Sequence, residues 1–149
     1  MRLHRNHYRV LFAVLVITAF FIPAYDKISA FSFFGIAIGS VASDEELTLL
    51  DLLVVLIPLL LIPVASLLIL FRAIRKKPLN SLLLSIPFFS LAFFFLILSF
   101  DMNRQLNMFT MLELLRQMKV GFYIAVSASL LLLLSYSRKE SFNLTSQIP

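Results

Sequence analysis

Residues 52–71 and 79–100 contain no charged side chain, and each run is long enough for a helix of about 30 Å, the thickness of a bilayer's hydrocarbon core. A helix apolar on every side either lies deep inside a large protein or faces lipid. A chain of 149 residues does not have the bulk for the first, so these runs predict membrane spans. Two further apolar runs flank the pair. Residues 10–24 are bracketed by Tyr8 and Tyr25, which extend that run to membrane length, and residues 120–137 contain the uninterrupted block Leu130 to Leu134.

The expected fold is therefore all-α, an integral membrane four-helix transmembrane bundle with spans at about 8–25, 52–71, 79–100 and 120–137. Composition agrees: 60% of residues are hydrophobic and 14% charged, outside the range of soluble domains. The whole chain reads as one membrane domain.

The basic residues sort by position. Arg2, Arg5 and Arg9, then Arg72, Arg75, Lys76 and Lys77, then Arg138 and Lys139 flank one set of span ends; Lys27, Arg104, Arg116 and Lys119 flank the other. Nine against four is the asymmetry of an even number of crossings with both termini cytoplasmic, and a bacterial plasma membrane is the expected location. The positive charge is thus read as topology and lipid contact, not as nucleic-acid binding. A fifth crossing at 28–43 would turn the 72–78 loop outward, so that segment is expected to leave and return on one side. The N-terminal run also has the basic and apolar regions of a signal peptide, but no small-residue cleavage site follows closely, and it is read as a retained anchor.

Residues 26–51 and 101–119 then form an extracytoplasmic cap. Ser43 with Asp44, Glu45 and Glu46 suits the start of a helix. Within 31–42, alternation of Phe34, Ile36 and Ile38 with Gly35, Ala37 and Gly39 fits a strand, while Gly35 and Gly39 make a G-x-x-x-G if helical. Residues 102–118 carry four of the five methionines and have helical periodicity; this helix either lies on the surface or runs on into the fourth span. The two cap segments are expected to touch.

The chemistry-bearing residue types are sparse. With no cysteine, disulfides and thiol chemistry are out, and no Asp, Glu, Lys, Arg or His lies inside the four apolar runs. Proton relays, ion paths and most membrane catalysis need such groups, so no catalytic residue, cofactor or metal site is assigned. His4 and His7 have ligand spacing, but the arginines around them favour a solvated basic tail. Asn143 and Thr145 form a glycosylation pattern on the predicted cytoplasmic side, where it has no use. Pro58, Pro63 and Pro87 fall inside spans and are read as structural kinks. Gly121, Ala125 and Ser129 recur every four residues as a helix-packing seam. Arg72, Arg75, Lys76 and Lys77 are assigned to anionic-lipid contact.

The expectation for function is a non-enzymatic accessory or scaffolding subunit of a larger membrane complex. Its partner would be a membrane protein, met through Phe31, Phe33, Phe34, Ile36 and Ile38 and through Met108, Met111 and Met118. The alternative is a lipid- or hydrophobe-binding protein with a groove between the second and third spans.

Overall fold

A computed structural model describes residues 2–43, 49–101 and 108–136. The acidic stretch 44–46, Met102, Arg104, Arg138, Lys139 and the Asn143 motif lie outside the described residues. The described chain is mostly helical, with helices α1 Arg2–Ala19, α2 Ala30–Ser43, α3 Leu49–Ile74, α4 Ser81–Asp101, α5 Met108–Gln117 and α6 Val120–Leu134. A two-stranded antiparallel hairpin, β1 Pro23–Tyr25 and β2 Ile28–Ser29, separates α1 from α2.

α1 packs on α3 and α6, and α4 packs on the same two, so four helices close a ring. The interior is filled by small side chains of α1 and α6 (Ala13, Ala128) set against Ile62 and Ile69 of α3 and Leu84 and Leu91 of α4. Residues 53–74 of α3 and 81–99 of α4 are long and apolar enough to cross a membrane; α1 and α6 contribute shorter apolar stretches, Asn6–Ala19 and Val120–Leu134.

The first apolar run departs from the expected helix through Tyr25. α1 stops at Ala19 because Pro23 follows: proline lacks the N–H, and its ring disfavours helix at the residue before it. The last turn tightens instead, with Phe21 N–H donating to the Thr18 carbonyl (3.0 Å) and Ile22 N–H to that of Ala19 (3.2 Å). The hairpin then turns through Asp26, whose φ of 48° lies in the left-handed region that Asp tolerates better than most residues. Phe31 N–H closes the excursion on the Phe20 carbonyl at 3.1 Å, and α2 begins. Of the two patterns weighed for 31–42, the helix is the one formed.

The prolines do not break their helices: α3 runs through Pro58 and Pro63, and α4 through Pro87. Two serines on those helices bond back one turn, Ser66 Oγ to the Ile62 carbonyl (2.7 Å) and Ser99 Oγ to that of Phe95 (2.8 Å). α3 ends in a double turn in which Lys77 N–H donates to the Arg72 carbonyl (2.9 Å) and Lys76 N–H to that of Ala73 (3.1 Å). That pattern requires a left-handed residue at its penultimate position, and Lys76 takes it with φ 54°.

α5 does not run on into α6. Met118 leaves the helix to bridge Tyr25, and Lys119 is extended with ψ 178°.

Candidate functional site

The ring has two chemically different ends. At one, Asn6, His7 and Val10 of α1 lie beside Ala73, Ile74 and Lys76 at the end of α3, and Arg9 reaches the end of α6. α1 is thus antiparallel to both α3 and α6, so α3 begins at the end at which the chain left α1. This basic end carries Arg72, Arg75, Lys76 and Lys77, all exposed; the Arg75 guanidinium sits 3.9 Å from the centre of the Phe71 ring. The hairpin, α2 and α5 occupy the other end.

Arg9 is not part of a solvated tail. It is 1% exposed, donates from Nη2 to the Ser135 carbonyl at 2.9 Å and from Nε to Ser135 Oγ at 3.2 Å, and so sets a cation on the last carbonyls of α6. Such carbonyls have no partner within the helix and carry its negative dipole end. In the sequence Arg9 is one arginine among several; only the register of α1 against α6 singles it out.

The small-residue seam is internal. A Cβ on Gly121 would lie 2.6 Å from the Ile22 carbonyl oxygen and 2.7 Å from that of Pro23, so α6 starts in direct backbone contact with the turn that leads from α1 into the hairpin. Ala125 is half-buried and Ser129 fully buried, its hydroxyl without a hydrogen-bond partner among the described residues. Gly35 and Gly39 differ: a Cβ at either meets nothing within 4 Å.

At the hairpin end the structure forms a partly open cavity of about 250 Å³ between the hairpin, α2, α4, α5 and the start of α6. Its walls are almost wholly apolar. Phe33 meets Phe94 edge-on at 5.7 Å, and Phe95 lies against Phe122 at 5.7 Å; Met118 and Leu114 close the α5 side. The frame is hydrogen-bonded at three points. Lys119 N–H donates to the Ala24 carbonyl (2.9 Å), Tyr25 OH to Gln117 Oε1 (2.6 Å) and Tyr123 OH to the Leu115 carbonyl (2.8 Å). Ser29 Oγ, near the cavity, already accepts the Ser32 N–H at 3.1 Å and pairs with Ser32 Oγ. The space therefore suits an apolar guest.

The residues expected to form one partner-facing surface divide. Phe31, Ile36 and Ile38 are exposed on α2; Phe34 and Met111 are half-buried; Phe33 and Met118 face the cavity, Met118 only 7% exposed. Met108 opens α5, and its side chain lies outside the described residues. The sequence reading passed over Phe94, Phe95 and Phe122, the opposite cavity wall. The triple Phe93 to Phe95 was a signal, but an uncharged run shows no periodicity from which to choose its inward side. A shallow groove does lie between α3 and α4, along Pro58 and Phe93, but it is more open than the cavity at the hairpin end. No three His, Cys, Asp or Glu side chains gather into a metal-binding group among the described residues.

No protein-family model, curated protein or solved structure matches this chain.

Proposed function

We propose that this chain is a non-enzymatic four-span protein of the bacterial plasma membrane, with both termini cytoplasmic, that holds an apolar ligand such as a lipid acyl chain in the cavity under its hairpin. Membrane residence is supported by the mismatch between hydrophobicity and burial. Only 39% of the apolar window of α3 and 22% of that of α4 is covered by the rest of the chain, and the uncovered faces present Leu53, Ile57, Leu60, Val64, Leu67 and Phe71. Exposed apolar surface on that scale marks contact with lipid or protein. Asn6–Ala19 and Val120–Leu134 rise only about 22 Å as helices, so the hairpin and the 118–119 junction complete the bilayer's thickness beside them. Non-helical backbone is tolerated at that depth where protein satisfies it, as the bond between Lys119 N–H and the Ala24 carbonyl does.

The ligand reading rests on one observation: a cavity of about 250 Å³ with four phenylalanines in its walls. An engineered apolar cavity of about 150 Å³ takes up benzene, so this space admits a ring or a segment of alkyl chain. Protein purified in a mild detergent is expected to carry stoichiometric lipid or another hydrophobe detectable by mass spectrometry, and Ala30→Phe, which fills the cavity from α2, to lose it. Loss of no ligand in Ala30→Phe would sink the reading.

The second reading is the accessory subunit. It is favoured by Phe31, Ile36 and Ile38, which remain 58%, 54% and 48% exposed on α2. A stoichiometric protein partner released by Ile36→Asp, from a protein that carries no hydrophobe, would favour it.

A further inference from the structure

We propose that the pocket between the start of α1 and the end of α3 binds the phosphate of an anionic lipid, with Lys76, His7 and Asn6 as its polar contacts. The pocket has a volume of about 250 Å³ and lies between those three side chains and an apolar wall of Val10, Ala73 and Ile74. Polar groups toward the chain end, with apolar groups beside them on the ring, repeat the order of a phospholipid from headgroup to acyl chain.

Two independent observations point to an anion there. The first is the backbone of Lys76. Its φ of 54° is a conformation that glycine adopts at little cost and lysine does not. A side chain kept at a strained position is a mark of function when it lines a site, and the turn that strains Lys76 also brings it to the pocket. The second is charge. Arg72, Arg75, Lys76 and Lys77, all exposed, gather at this end, whereas Asp26, Asp51, Asp101 and Glu113, the acidic residues of the described chain, all belong to segments at the hairpin end. Exposed cations grouped in this way attract an anionic headgroup, and basic pockets between helices on the cytoplasmic side are where such headgroups bind.

The proposal rests on the membrane placement given above, and the test separates the two. Full-length protein in dodecyl maltoside is offered dioleoyl phosphatidylglycerol or dioleoyl phosphatidylcholine, and the retained lipid is read by native mass spectrometry. Phosphatidylglycerol is expected to be retained in preference. Lys76→Gly is expected to lower that retention about fivefold, as loss of one cation near an anionic headgroup implies, without lowering the melting temperature, since glycine suits the turn. Lys77→Gln removes the same charge just outside the pocket and is expected to have a clearly smaller effect. Equal retention of the two lipids, wild-type retention by Lys76→Gly, or an equal loss in Lys77→Gln would overturn the site. Displacement of the lipid by an equimolar amount of sn-glycerol 3-phosphate would reassign the pocket to soluble phosphate esters and overturn the lipid assignment. A protein that stays monodisperse without detergent would instead overturn the membrane placement.

Discussion

A methyl group added at Gly121 would sit 2.6 Å from one backbone carbonyl oxygen and 2.7 Å from the next, and neither belongs to a side chain that can swing aside. Gly121→Ala must therefore push α6 away from the turn at Ile22 and Pro23 that leads from α1 into the hairpin. Overpacking of this kind costs about 1–3 kcal/mol, and thermal melts in detergent should show the loss, with Ser127→Ala, on the exposed side of α6, melting as the wild type does. At the opposite end of the same helix pair, Arg9 anchors α6 through Ser135. Arg9→Met keeps the unbranched apolar stem of the side chain and removes the donors, leaving the Ser135 carbonyl without them. Hydrogen bonds from charged donors contribute about 1.5–3 kcal/mol, and a melt lowered by less than a control substitution at exposed Arg72 would show that Arg9 does not hold the helices together.

At the scale of elements, the decisive joint is Met118 and Lys119, where α5 ends, the hairpin is bridged and α6 starts. Lys119→Pro removes the N–H that bonds to the Ala24 carbonyl. Hydrogen exchange in residues 23–29 is expected to accelerate, with α3 and α4 unchanged; unchanged exchange in the hairpin would mean that the bond to Lys119 does not secure it. This joint also marks the limit of what the sequence discloses. The positions of α3 and α4 are legible because an uncharged run of such length has one physical solution. The end of α1 is half legible: Pro23 announces a stop, but that the chain turns back at Ala19 depends on Phe31 reaching the Phe20 carbonyl and on α6 lying against Ile22 and Pro23. The cavity is less legible still. Phe33, Phe94 and Phe122 are far apart in the chain, and nothing local separates a phenylalanine that faces lipid from one that faces a cavity. The buried role of Arg9 is illegible for a related reason, since a basic residue near a span end is as a rule solvated.

For the whole molecule, the arrangement of the four helices makes a claim about sides. Lys77 follows α3 at the basic end and Lys27 lies in the hairpin turn at the other, both exposed; the apolar 22 residues 53–74 between these ends rise about 33 Å. If the ring crosses the membrane, these two positions lie in different compartments. The chain has no cysteine, so single cysteines at Lys27 and Lys77 are each the sole target for a thiol reagent. With a membrane-impermeant maleimide on intact spheroplasts, Lys27→Cys is expected to label at once, and Lys77→Cys only after the membrane is opened. Labelling of both from outside would require an even number of crossings between them, with α2 and α3 both crossing or neither, and would put the basic end against the positive-inside rule. Labelling of neither, in a protein that labels fully once solubilised, would bury the hairpin in a partner or in the headgroup layer. The cavity would then open onto lipid and not onto water, and any guest would have to enter sideways from the bilayer.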